Sequence, residues 1–191
     1  AWGDVDNDGD LDLFVAAYER VDGVQQPRNQ LFLNEGDRFR NVLDPGDPAN
    51  AADHGVIWVD YDGDGDLDLS VTDGYGPVGG HPVFRNELGG DARARGFSVR
   101  VRDAEGLATQ AGAELRIVDA DGPRSGLRLV STGGGYNAQS EADAFLTLPE
   151  ACERCELEVR FPGSQERTRF ALPASLDTLP GRVLVVRRPA E

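Results

Sequence analysis

The stretch Asp4-Val5-Asp6-Asn7-Asp8-Gly9-Asp10-Leu11-Asp12 returns as Asp60-Tyr61-Asp62-Gly63-Asp64-Gly65-Asp66-Leu67-Asp68. In each copy carboxylates stand at positions 1, 3, 5, 7 and 9, with glycine at position 6. Side chains at positions 1, 3 and 5 of a tight loop converge on one centre. Glycine permits the sharp bend, position 7 offers a backbone carbonyl, and position 9 closes the shell around a hard cation. Five like charges in so short a loop repel one another, and a cation is expected to hold the loop folded. The candidate Ca2+ ligands are therefore Asp4, Asp6, Asp8, Asp10 and Asp12 at one site, and Asp60, Asp62, Asp64, Asp66 and Asp68 at a second.

The first five positions of each loop match an EF-hand, but position 12 is Val15 in one copy and Val71 in the other. An EF-hand needs a bidentate glutamate there and a helix after it. Here Leu13-Phe14-Val15-Ala16 and Leu69-Ser70-Val71-Thr72 have β character, so each loop opens a strand. The bland alternative, a solvated acidic turn, explains one such loop better than two with every ligand position filled. A catalytic carboxylate cluster would need a partner group in a defined pocket.

Net charge supports the same focus. The chain of 191 residues carries −15 overall, with 34 acidic and 19 basic residues. Residues 1–91 hold 20 acids and 5 arginines, whereas residues 92–191 hold 14 of each. The whole imbalance lies in the half with the loops. Such a surface argues against nucleic acid as a partner, since phosphate contacts need a basic patch. No apolar run reaches the roughly 18 residues of a membrane span, so membrane insertion is not expected. There is no lysine and no methionine. The opening Ala1-Trp2-Gly3-Asp4 reads as a processed or excised piece whose upstream part is missing.

The 24 glycines and 11 prolines point to many turns and short strands. Leu11–Tyr18 reads as a strand, Glu19–Arg28 as a polar connection, and Gln30–Asn34 and Arg38–Leu43 as further strands. Val56–Val59, Leu67–Thr72 and Val83–Asn86 repeat the pattern. After Gly89-Gly90-Asp91 the texture changes to alternating strands, among them Phe97–Val101, Glu114–Val118, Leu127–Val130, Phe145–Leu148, Leu157–Phe161 and Arg182–Val186. Asp119-Ala120-Asp121-Gly122 signals a hairpin. No convincing amphipathic helix appears. The expected fold is all-β: two β-propeller-blade-like calcium-loop repeats over 1–91, then a β-sandwich-like domain over 92–191.

Cys152 and Cys155 form one C-x-x-C in a turn that leads into a strand. A disulfide pinning that turn is the favoured reading and requires an oxidising compartment; two free thiols, or redox or metal chemistry, are the alternatives. Zinc would need two further ligands, and His54 and His81 are distant in sequence. Each histidine reads as a surface or packing residue. Gly133-Gly134-Gly135 lacks the lysine and helix of a phosphate cradle and reads as a hairpin or bulge. One of Trp58 and Tyr61, which bracket Asp60, is expected to face the core. Tyr61, Tyr75 and Tyr136 are candidate sugar-stacking residues. No nucleophile motif is present.

The segments Trp2–Val15 and Trp58–Val71 resemble FG-GAP or VCBS repeats, the calcium-loop blades of integrin-like propellers. Asn29-Gln-Leu-Phe-Leu-Asn-Glu-Gly36 and Phe84-Arg-Asn86 resemble the strand that follows each loop. Gly112–Ile117, Gly134–Ser140 and Leu157–Ser164 resemble the ASPIC/UnbV domain, which follows such repeats in the cartilage acidic protein family and its bacterial relatives. The family carries several repeats, whereas two cannot close a ring and would expose sheet edges. It often has Trp-Pro-x-Gly where this chain has Phe161-Pro162-Gly163-Ser164. The resemblance implies a secreted or cell-surface, non-enzymatic, calcium-binding structural or adhesion module. Its partner would be a protein or glycan at the cell surface, or itself, with strand complementation building an array or filament. A carbohydrate-binding module on a larger extracellular protein is the alternative, and a biosynthetic enzyme or accessory factor a third reading.

Overall fold

The computed structural model describes residues 1–191 apart from 52–53, 73–79, 134–137, 140–141, 153 and 191. It is all-β with almost no helix. The first repeat contributes β1 (Trp2–Gly3), β2 (Asp12–Val15), β3 (Tyr18–Val21), β4 (Val24–Pro27), β5 (Gln30–Asn34) and β6 (Phe39–Asn41). Four of these form an antiparallel sheet in the order β1-β2-β5-β6. The first Asp loop joins β1 to β2, whose pairing sets Gly3 opposite Asp12 and so brings the two ends of the loop together.

The segment expected as a polar connection, Glu19–Arg28, is instead the hairpin β3-β4. Asp22 and Gly23 both have positive φ, 52° and 81°, as the tight two-residue turn between antiparallel strands requires. The strand expected to run from Leu11 to Tyr18 accordingly stops at Val15, and Tyr18 begins the hairpin.

The second repeat is smaller: β7 (Val56–Val59), β8 (Asp68–Val71) and β9 (Val83–Phe84), ordered β7-β8-β9. Its loop joins β7 to β8 as the first joins β1 to β2. The two sheets meet through Phe14, which is buried, and Trp58, whose ring stands edge-on to it at 6.1 Å and 90°. Ala49, Val56, Leu69 and Val71 complete this small core. Gly3 lies under the indole: a Cβ there would approach Trp58 Cδ1 to 2.7 Å.

A five-residue helix, α1 (Gly90–Ala94), leads into β10 (Gly96–Arg102), β11 (Glu114–Asp119), β12 (Gly122–Pro123), β13 (Arg128–Leu129), β14 (Asp143–Thr147), β15 (Glu156–Arg160), β16 (Thr168–Ala171) and β17 (Val183–Arg187). One sheet runs β14-β10-β17, with β10 and β17 parallel. The other runs β12-β11-β15-β16, with β13 also on β11. The expected hairpin closes with Asp119 opposite Gly122. Period-two alternation sends Phe97, Val99 and Val101 inward from one sheet and Leu115, Ile117, Leu157 and Val159 from the other, all into one core. This is the larger of the two apolar clusters.

Phe14 is the largest fully buried side chain of the smaller core. Phe14→Ala is expected to lower the unfolding free energy by about 3–5 kcal/mol in urea denaturation. A loss under about 1 kcal/mol would show that the two repeats are not joined through this ring.

Candidate metal centres

In the first loop, Asp12 does not face the other carboxylates as a free ligand. Its Oδ2 accepts from the Val5 N–H (2.9 Å) and its Oδ1 from the Asn34 N–H (2.8 Å), so it clamps the loop to β5. Asp4 Oδ2 accepts from the Gly9 N–H (3.0 Å) and from the Thr147 hydroxyl (2.7 Å). Asp6 accepts from the Asp8 N–H and Asp8 from the Asp10 N–H, two turns that curl the loop. Gly9 sits at φ 102°, a bend few side chains tolerate. Carboxylate oxygens of Asp4, Asp6 and Asp8 lie within 4.8 Å of one another. Asp10 is exposed and outside that trio.

The second loop repeats the scaffold with a different trio. Asp68 accepts from the Tyr61 and Asn86 N–H groups at 3.2 and 2.9 Å, as Asp12 does from Val5 and Asn34. Asp60 accepts from the Gly63, Asp64 and Gly65 N–H groups. Here Asp60, Asp62 and Asp68 gather within 4.8 Å. Asp64 and Asp66 stand outside the trio: Asp64 pairs with Arg85 (2.9 Å) and with Arg93, and Asp66 Oδ2 accepts from the Leu88 N–H (2.9 Å).

Two oxygens decide what this arrangement suits. Asp4 Oδ1 and Asp66 Oδ1 are buried, on residues 1% and 0% exposed, and neither has a hydrogen-bond partner. An unpaired buried carboxylate oxygen is costly, and a hard cation is the partner an all-oxygen donor set selects. Asp4 belongs to the first trio, which therefore fits Ca2+; Asp66 lies beside the second trio, whose fit rests on its all-oxygen donor set, and the ion would supply two positive charges to each cluster. Asp4 and Asp60 both border a cleft of about 820 Å3 bounded by β1, β7, β13 and β14.

The loops touch each other and the second unit. Asn7, buried with φ 57°, donates Nδ2 to the Gly65 carbonyl (2.8 Å) and to the Ala92 carbonyl (3.1 Å). Asn86 Nδ2 donates to the Val5 carbonyl (2.7 Å), and Arg128 Nη2 to the Gly9 carbonyl (2.9 Å). Sequence reasoning passed over Asn7, Thr147, Arg85, Arg93 and Arg128. Only the paired Asn34 and Asn86 left a visible signal, in the echo between Leu31–Asn34 and Val83–Asn86.

Trp58 faces the inter-repeat core, and Tyr61 is exposed. Neither His54 nor His81 belongs to a carboxylate trio. Cys152 and Cys155 are joined by a disulfide with a Cα–Cα distance of 5.5 Å. Tyr75, Tyr136 and Gly134-Gly135 lie outside the described residues. Among the described residues no helix is long and apolar enough to cross a membrane.

Residues 4–71 match an FG-GAP-like repeat. The chain is 29% identical to cartilage acidic protein 1 of Homo sapiens, in an alignment covering 92% of this chain and 26% of that protein. It is also 29% identical to the Mus musculus protein and 25% identical to that of Xenopus tropicalis, each over 92% of this chain and 27% of the relative. The chain thus spans about a quarter of the length of the curated relatives it matches. No solved structure matches it.

Burial pushes the carboxyls of Asp4 and Asp12 up to about 6 each. Burial also raises Asp6, Asp60, Asp66 and Asp68. A group with a raised folded value binds its proton more tightly in the folded chain. Cation-free stability should therefore fall as pH rises from 3.8 to about 6. In chelator, Tm is expected to be higher at about pH 5 than at about pH 7.5. A lower Tm at the more acid pH would contradict this assignment.

Proposed function

We propose that this chain is a secreted, non-enzymatic, calcium-binding structural or adhesion module. One Ca2+ would sit at Asp4, Asp6 and Asp8 and a second at Asp60, Asp62 and Asp68, with Asp12 and Asp68 fixing each loop to the strand after it. The observation that carries this reading is the orphaned, buried oxygen Asp4 Oδ1 within the first carboxylate trio, whose spacing the second loop repeats. The FG-GAP-like match over both loops and the similarity to cartilage acidic protein 1 support it. The Cys152–Cys155 bridge fits an oxidising, extracellular setting. Calcium here is scaffold: it neutralises the loops from which β2 and β8 start.

The module also has a surface for association. Trp58, two residues before the second loop, packs on Phe14 of the first sheet. Its counterpart Trp2, two residues before the first loop, is 58% exposed and stands edge-on to Phe39, itself 49% exposed, at 6.1 Å. By the repeat's own geometry Trp2 would pack on a further sheet of the same kind, from another molecule or from elsewhere in a longer chain. Among the described residues the outer edges of β1 and β7 carry no neighbouring strand in their sheets, which suits self-assembly by strand addition.

Extracellular calcium modules bind at about 0.1–1 mM, so Ca2+ at about 5 mM should add about 1–2 kcal/mol per site. With both sites filled the expected result is a rise in Tm of roughly 4–16 °C in Ca2+ over chelator. An unchanged Tm would refute the calcium reading. For association, sedimentation velocity in Ca2+ should show mass increasing with concentration, and Trp2→Ser should weaken it. A single monomeric species throughout would refute self-assembly.

A further inference from the structure

We propose that the two Asp loops are inequivalent cation sites, because Arg85 and Arg93 serve as built-in counter-ions of the second loop. This rests on the reading that both loops take Ca2+. Asn34 and Asn86 play the same part, each giving its backbone N–H to the loop's last aspartate. The residue before them differs: Leu33 in the first repeat, Arg85 in the second. Arg85 Nε lies 3.0 Å from Asp62 Oδ2 and its Nη2 lies 2.9 Å from Asp64 Oδ2. Arg93, carried in on α1, also pairs with Asp64 and reaches within 3.6 Å of the buried Asp66. Among the described residues no arginine forms an ion pair with Asp6, Asp8 or Asp10. Arg128 approaches the first loop but gives its Nη2 to the Gly9 carbonyl.

The consequence is electrostatic. Each loop carries five aspartates, but two guanidinium groups offset part of the second loop's charge before any cation arrives. A dication at Asp60, Asp62 and Asp68 must share Asp62 with Arg85 and meets two nearby positive charges. The first loop meets Arg128, which acts on Asp4 and Asp10 by its charge but forms no ion pair with them among the described residues, against the paired Arg85 and Arg93 of the second. The first loop binds Ca2+ more tightly and depends on it more. The second stays folded without the ion, pinned by Arg93 to the linker, whose carbonyls at Arg93 and Ala94 are in turn held by Arg182.

The test is calorimetric titration of the chelator-stripped chain with CaCl2, with hydrogen exchange in EGTA as a second readout. Two binding phases at least about tenfold apart are expected. Asp6→Asn/Asp8→Asn should remove the tighter phase. Arg85→Leu/Arg93→Gln should tighten the weaker phase about tenfold and leave the tighter one unmoved. In EGTA the amides of residues 4–12 should exchange while those of 60–68 stay protected; in the arginine variant both should exchange. Equal constants in the wild type, loss of the weaker phase in Asp6→Asn/Asp8→Asn, or an arginine variant with unchanged binding and exchange would overturn the proposal. No Ca2+ binding by the wild type would instead overturn the calcium reading, and the exchange comparison alone would then decide the counter-ion role.

Discussion

Mutual repulsion among ten aspartates is the constraint around which this molecule is built. The two loops that carry them are direct neighbours, since Asn7 of the first donates to Gly65 of the second. Folding therefore concentrates like charge instead of dispersing it. Several carboxylates are also buried, which compounds the cost, as the upward shifts at Asp4 and Asp12 record. Backbone N–H groups satisfy most of the oxygens. Among the described buried oxygens of the loops, Asp4 Oδ1 and Asp66 Oδ1 are left without a hydrogen-bond partner.

The second unit is placed so as to meet this cost. Although residues 92–191 balance acids and arginines, the positive groups near the joint are not scattered. Arg128 reaches the first loop, Arg93 the second, and the charge of Arg182 slightly opposes the burial that raises Asp60 while its guanidinium holds the linker. Thr147, on β14, gives its hydroxyl to Asp4. The larger core is thus a base from which neutralising and hydrogen-bonding groups are presented to the loops. The inter-repeat joint at Phe14 and Trp58 fixes the loops side by side.

The loops were legible in the sequence because every position in them has a local reason: carboxylates at alternate places, glycine at the bend, an apolar strand behind. The alternating strands of the second unit were legible for the same reason, since Phe97, Val99 and Val101 mark their own inward face. The β3-β4 hairpin was missed although Asp22-Gly23 announces it; its polar, exposed strands lack an apolar stripe. Strand β16 was missed because its residues are only half-buried or exposed. The parallel pairing of β10 with β17, and the arrival of Arg93, Arg128 and Thr147 at the loops, are set by contacts between distant segments. Local pattern carries no trace of those. The EF-hand-like spacing also suggested a single ligand set for both copies, yet the first trio uses positions 1, 3 and 5 and the second positions 1, 3 and 9. In the second loop the position-5 carboxylate, Asp64, pairs with Arg85 and Arg93 instead.

The most direct test of the account is the number of calcium ions the folded chain holds. Native mass spectrometry of the full chain in calcium acetate, with magnesium acetate as the control, counts them without reference to any activity. The account predicts a dominant species with two calcium ions per chain, falling to one in Asp4→Asn and in Asp60→Asn. A chain that carries no calcium, or whose calcium count is indifferent to both substitutions, would contradict it.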